Sequence, residues 1–222
     1  MFEVVMREFG AAGSLFVGKL AHDRSWELDL EKLLSELMGS AARGKPVLLL
    51  GTAFLFVHLI EHFDKRKLRL TLPPGSRLME TGGYKGRSLS FPRPKLSNML
   101  TERLGIEAES IIGEYGMSEL GSQAYDLAFT AGAEKVSNVA QPERTFRFPP
   151  WARAQIVSTE TGREVAEGQP GILRVFDLAN VWSVMAVQTE DLAVKRGTGF
   201  ELVGRAAAAE PRGCSLMSAD SL

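Results

Sequence analysis

Two different spacings of apolar residues run through this chain, and the change from one to the other divides it. Leu30, Leu33, Leu34, Leu37, Met38 and Ala41 recur at three- and four-residue steps that line one helix face, with Ser25 as a cap and a stop at Gly44. Lys45-Pro46 then leads into Val47-Leu48-Leu49-Leu50, a continuous apolar run of the kind buried on both faces of a parallel sheet. A second helix is predicted from Gly51-Thr52 to Arg66, with apolar residues over more than half of its surface. The hard turn Pro73-Pro74-Gly75 precedes a short strand, Arg77-Leu78-Met79-Glu80. A helix from Pro94 to Leu104 is stopped by Gly105, and Ser110-Ile111-Ile112 reads as the next strand. Strand–helix–strand–helix–strand argues for a parallel sheet.

From about residue 145 the helical spacing disappears. Phe146 to Trp151 reads as a bend with aromatic cover. Ala154–Val157 and Gly171–Phe176 read as strands separated by glycine turns, and Leu192–Lys195 and Phe200–Val203 flank the turn Arg196-Gly197-Thr198-Gly199. The predicted fold class is therefore α/β, a parallel βαβ-type sheet layer followed by an antiparallel β subdomain. Its divisions fall at 1–145, 146–216 and a polar tail, 217–222.

In a parallel sheet, ligands gather at the carboxyl ends of the strands. Two glycine-bearing segments fall at such ends: Thr81-Gly82-Gly83-Tyr84-Lys85-Gly86-Arg87, and Gly113-Glu114-Tyr115-Gly116-Met117-Ser118-Glu119. Adjacent glycines allow close backbone approach to a ligand or a strained turn. The second segment offers an aromatic ring to stack on a flat base, a hydroxyl for a phosphate oxygen and a carboxylate for a hard cation. The alternative is a turn whose Ser118 and Glu119 merely start the next helix.

Composition narrows the function classes. With 26 basic against 27 acidic side chains in 222 residues, charge gives no pull toward nucleic acid or an anionic membrane. The longest apolar stretch, Pro46 to Ile60, is interrupted and too short to span a bilayer, so no membrane insertion is expected. Met1 to Glu8 lacks a basic region followed by a long apolar core, and the expectation is a soluble cytoplasmic protein. A single cysteine, Cys214, excludes an internal disulfide. Gly13 to Lys19 has P-loop spacing, but Leu20 stands where a Ser or Thr should ligand Mg2+, so it reads as chance. His58 and His62 lack a third zinc ligand and read as surface or core-edge residues. The basic run Lys65 to Arg69 reads as a solvated helix end.

Four segments in order match one pattern: Thr81-Gly82-Gly83, Gly113 to Glu119, Gln188-Thr189-Glu190-Asp191-Leu192, and Gly204-Arg205 followed by Glu210-Pro211-Arg212-Gly213-Cys214-Ser215-Leu216. This resembles the adenylate-forming enzymes, which make acyl-AMP from a carboxylic acid and ATP. Within them it is most similar to acyl-protein synthetases of the bacterial bioluminescence type, the long-chain-fatty-acid–luciferin-component ligases. The Gly-Gly-Tyr-Lys-Gly and Arg-Gly-Cys-Ser-Leu stretches carry that closer likeness.

The resemblance implies ATP and Mg2+ as cofactors and a fatty or related carboxylic acid as substrate. Tyr115 would lie against the adenine, with Gly82, Gly83 and Gly116 in the cofactor-binding set. Ser118 would bond the α-phosphate, and Glu119 would hold Mg2+. Asp191 would accept from the ribose hydroxyls beside Arg205. Cys214 would take the acyl group and pass it to an acceptor protein such as a fatty acid reductase. Read by itself, a lone cysteine is more often a small buried hydrophobe; its place in Arg212-Gly213-Cys214-Ser215-Leu216 brings the two readings level.

Adenylating enzymes also carry a Ser/Thr/Gly-rich loop for the β- and γ-phosphates, and no such stretch precedes residue 81. The chain ends soon after Cys214 as well, without the small C-terminal domain of CoA ligases. The expectation is an N-terminally truncated member of the family. A phenylacetate-type acyl-CoA ligase, or a non-catalytic domain that binds an acyl-adenylate or a partner, are the alternatives.

Overall fold

The computed structural model describes residues 2–20, 26–82, 93–126 and 144–206. Helix α1 (Phe2–Phe9) is followed by a small antiparallel pair, β1 (Gly18–Leu20) and β2 (Trp26–Leu28). The P-loop-like spacing thus ends in a strand rather than in a loop that opens a helix.

Helix α2 (Leu30–Arg43) begins where its apolar periodicity does, later than a cap at Ser25 would place it. Asp29 is the cap, its carboxylate accepting from the Lys32 amide at 3.1 Å, because residues 26–28 are committed to the β1–β2 pair. Ser25, the expected cap, lies outside the described residues. Gly44 ends the helix in the left-handed conformation (φ 64°).

Strand β3 (Leu48–Thr52) runs into helix α3 (Ala53–Lys65), where the Thr52 hydroxyl accepts from the Leu55 amide at 3.2 Å. Strand β4 (Arg77–Thr81), helix α4 (Arg93–Leu104) and strand β5 (Ile111–Tyr115) complete the parallel layer. Strands β3, β4 and β5 are neighbours in that order, aligned Thr52 beside Thr81 and Thr81 beside Glu114.

The antiparallel strands follow: β6 (Ala124–Asp126), β7 (Phe146–Arg147), β8 (Ala152–Val157), β9 (Pro170–Asp177), β10 (Ala186–Arg196) and β11 (Gly199–Arg205). All but β1 and β2 join one nine-stranded sheet in the order β3-β4-β5-β6-β7-β11-β10-β9-β8. The parallel layer and the antiparallel part therefore share a single mixed sheet, joined through the two shortest strands, β6 and β7.

Two apolar cores sit along this sheet. The first packs Leu34 and Leu37 of α2, Phe56, Val57, Ile60 and Phe63 of α3, and Leu96, Leu100 and Leu104 of α4 against Leu78 and Ile111 of the sheet. The second gathers Tyr115, Phe146, Ile156, Leu173, Val175 and Phe200. Tyr115 is the point at which the β5 strand enters the second core. His58 is buried in α3, edge-on to the Phe54 ring at 4.3 Å and 3.5 Å from the Glu61 carboxylate. No helix among the described residues is long and apolar enough to cross a membrane.

Candidate active site

Strand β5 does not stop at Gly113; it continues through Glu114 to Tyr115, so the first half of the motif is sheet. The glycine is required for a different reason than a turn. A Cβ on Gly113 would lie 0.9 Å from Nη2 of Arg93, so the guanidinium of Arg93 occupies the space a side chain would take. Arg93 is 2.7 Å from the Glu80 carboxylate and 3.2 Å from that of Asp126, and it lies over the Phe146 ring at 4.5 Å. The Gly113 amide donates to Asp126, and Arg144 reaches Asp126 at 3.4 Å while donating to the Ala108 and Ile111 carbonyls. Two buried carboxylates and two half-buried guanidinium groups thus meet at the junction of the parallel and antiparallel strands. Burial outweighs the neighbouring cations and pushes the Glu80 carboxyl up to about 7; it raises Asp126 as well.

On the opposite side of the strand, Thr81 donates its hydroxyl to Glu114, whose carboxyl is raised mainly by burial. Gly116 is packed against this carboxylate, since a Cβ there would meet Glu114 Oε1 at 2.5 Å. Gly82 follows β4 in the left-handed conformation (φ 70°) with nothing within 4 Å of where a Cβ would lie, a backbone that favours glycine.

Three of the expected site residues come together across the sheet. The Tyr115 hydroxyl donates to Asp191 Oδ2 at 2.7 Å, and Arg205 Nε is 3.4 Å from Asp191 Oδ1. Asp191 and Arg205 face each other in the β10–β11 register, so the hairpin itself brings them together. A bulge in β10 between Gln188 and Leu192 releases Thr189 to Asp191 from the ladder with β9. The Thr189 hydroxyl fixes this bulge, donating to the Leu173 carbonyl at 2.8 Å and accepting from the Asp191 amide at 3.0 Å. Glu190 holds the other side of Arg205 at 2.7 Å. The Tyr115 ring is met edge-on by Phe146, Phe148 and Phe200, with centroids 6.0, 6.3 and 5.5 Å away. Burial and the Asp191 carboxylate push its phenol well above the ordinary range.

Ser118 and Glu119 do not start a helix. They lie in an exposed turn closed by the Leu120 amide on the Met117 carbonyl at 3.1 Å, with the Ser118 hydroxyl donating to the Glu119 carboxylate at 3.1 Å. The turn is tied to the β9–β10 connection: Asn180 donates to the Glu119 carbonyl at 2.7 Å, and the Ser122 hydroxyl donates to the buried Asp177 at 2.8 Å. Among the described residues no cluster of three or more His, Cys, Asp or Glu is arranged for a metal ion. Gly83 and Cys214 lie outside the described residues.

Sequence reasoning missed the charge quartet Glu80, Arg93, Asp126 and Arg144. A signal existed for one member. In β4 the buried positions alternate through Leu78 and Glu80, and a carboxylate on an inward strand position calls for a cation nearby.

A mixed sheet of this order, with Tyr115, Asp191 and Arg205 joined at its centre, has the fold of the adenylate-forming enzymes. Similar solved structures include a long-chain-fatty-acid–CoA ligase (FadD1) from Archaeoglobus fulgidus, 11% identical, with a TM-score of 0.53 over 80% of this chain and 37% of that one. The McyG A-PCP structure with phenylalanyl-adenylate is 18% identical, with a TM-score of 0.50 over 80% of this chain and 29% of that one. The adenylation domain of a keto acid-selecting NRPS module bound to keto acyl adenylate is 15% identical, with a TM-score of 0.51 over 79% and 38% of the two chains.

Residues 5–222 match the family described as "Acyl-protein synthetase, LuxE", and the chain belongs to that family. It is also similar to the long-chain-fatty-acid–luciferin-component ligase of Aliivibrio fischeri, 20% identical over 205 residues. That alignment covers 87% of this chain and 50% of the relative, so the chain spans about half the length of the relative it matches.

Proposed function

We propose that this chain takes part in ATP-dependent activation of a fatty or related carboxylic acid, forming acyl-AMP, and that Cys214 then accepts the acyl group for transfer to a partner protein. The observation that carries this reading is the Tyr115–Asp191–Arg205 constellation, built by a bulge in β10 and the end of β5, in a chain of the acyl-protein synthetase family.

In this reading the acid's carboxylate attacks the α-phosphorus in line, the α–β phosphoanhydride bond breaks and pyrophosphate leaves. Positioning and charge neutralisation supply the catalysis. Asp191, steadied by the Tyr115 hydroxyl and Arg205, accepts from the ribose hydroxyls. The Tyr115 ring with its aromatic neighbours bounds the adenine, and the left-handed Gly82 admits close approach of ligand to backbone. Ser118 bonds the α-phosphate. Glu119 beside Ser118 presents hard oxygen donors at the surface, which suits Mg2+ held by one or two carboxylates together with substrate phosphates and water. Mg2+ there would offset the charge of the departing pyrophosphate. In the second step the Cys214 thiolate attacks the acyl carbonyl, a thioester forms and AMP leaves with the former carboxylate oxygen. The medium this reading implies is a reducing, cytoplasmic one, in which a single cysteine stays a thiol.

The test is to incubate the chain with ATP, Mg2+ and radiolabelled fatty acid and follow label on the protein. Label that is released by hydroxylamine and lost in Cys214→Ser is the expected result. Acyl-CoA formed only when CoA is added would move the assignment to an acyl-CoA ligase. If neither product nor ATP–pyrophosphate exchange is seen, the chain is a non-catalytic binding domain.

A further inference from the structure

Arg93 belongs to no part of the proposed chemistry, yet its guanidinium is held on several sides. It lies in the space kept open by Gly113, between Glu80 of β4 and Asp126 of β6, and over the face of Phe146. Phe146 in turn meets the Tyr115 ring edge-on at 6.0 Å and stacks on Phe200 at 5.5 Å, which is itself edge-on to Tyr115. Gly113 and Tyr115 are alternate residues of one strand, so their side-chain positions face the same way. A single planar cation therefore touches both supports of Tyr115: the β5 backbone beside it and the aromatic wall around it. A lysine could keep the charge but has neither the planar stacking surface nor the fork.

We propose that Arg93 is a positioning residue for the site, its guanidinium holding the end of β5 and the Phe146 ring in the register that keeps the Tyr115 hydroxyl on Asp191. The functional side of this rests on the acyl-activation reading; the structural side does not. Neither family membership nor the resemblance on which the site residues rest assigns Arg93 a role.

The test uses the full chain with 13Cζ-labelled tyrosine and no ligand. The chain has three tyrosines, and the Tyr115 signal is identified by its loss in Tyr115→Phe. Arg93→Ala and Arg93→Lys are compared with wild type, with circular dichroism to establish folding; the lysine variant serves if the alanine variant does not fold. The expected result is a folded Arg93→Lys chain whose Tyr115 signal is displaced and titrates nearer the ordinary tyrosine range. In ATP–pyrophosphate exchange the same variant should show KM for ATP raised about tenfold with kcat little changed, the split expected when a binding wall is loosened. An unmoved, non-titrating Tyr115 signal in folded Arg93→Lys overturns the proposal. Absence of exchange in wild type overturns the acyl-activation reading instead, and the ligand-free Tyr115 signal still decides the positioning claim.

Discussion

Replacing Gly113 with alanine is a minimal perturbation that reaches the charge quartet. The added methyl would lie 0.9 Å from Arg93 Nη2 and 2.0 Å from its Cζ, far inside contact distance, so the guanidinium must leave its seat. Leaving breaks the 2.7 Å pair with Glu80 and the 3.2 Å pair with Asp126, carboxylates whose residues are 6% and 0% exposed. Removing one partner of a buried ion pair costs about 3–5 kcal/mol. Two effects reduce that figure: the Arg93 side chain is 27% exposed, and Glu80 takes up a proton near neutral pH in place of its partner. A loss of about 3 kcal/mol remains, or roughly 6–12 °C in Tm for a chain of this size.

The assay is urea unfolding at pH 7.5 of wild type, Gly113→Ala, Arg93→Ala and the double variant. Because the methyl acts by displacing Arg93, its cost in the Arg93→Ala background should fall below about 1 kcal/mol. A Gly113→Ala chain within about 0.5 kcal/mol of wild type would refute the reasoning, as would an equal loss in both backgrounds.

Two further outcomes follow from the same geometry. A carboxyl whose folded pKa is raised to about 7 binds more protons folded than unfolded between its ordinary range and 7, so its stabilising contribution is full below pH 4.5 and is lost as pH rises through 7. Relative to Glu80→Gln, wild type should therefore lose roughly 2–3 kcal/mol between pH 4.5 and 8 in urea titrations, and parallel stability curves would contradict this. Glu119 is exposed and accepts from the Ser118 hydroxyl, so Glu119→Gln should leave Tm unchanged while raising the Mg2+ concentration needed for half-maximal exchange several-fold; an unchanged Mg2+ requirement would remove Glu119 from the proposed metal site.

The parallel layer was legible because its signals are long: the apolar run at Leu48 to Leu50 lies within β3, and the three- and four-residue spacing of Leu30 to Ala41 falls within α2. The hairpin of β10 and β11 was legible through its glycine turn, and with it the meeting of Asp191 and Arg205, since that contact follows from cross-strand register. Strands β6 and β7 were not, because two or three residues carry no measurable period. The role of Gly113 was misread for a related reason. A glycine in an apolar run suggests a strand end, and only the fold reveals that a guanidinium from α4 takes the place of its side chain. The quartet was hidden because Glu80, Arg93, Asp126 and Arg144 each look like ordinary surface charges in sequence. Burial of the two carboxylates is tolerable only beside the two guanidinium groups, and those contacts are long-range.

In the proposed function, Tyr115, Asp191 and Arg205 form the nucleoside end of an acyl-adenylate site. Titration calorimetry of the full chain with a hydrolysis-resistant acyl-sulfamoyl adenosine tests it most directly, comparing wild type with Asp191→Ala. Saturable binding to wild type is expected, weakened roughly 10- to 100-fold in Asp191→Ala by loss of the charged acceptor for the ribose hydroxyls. No binding to wild type, or equal binding by a folded Asp191→Ala chain, would contradict it.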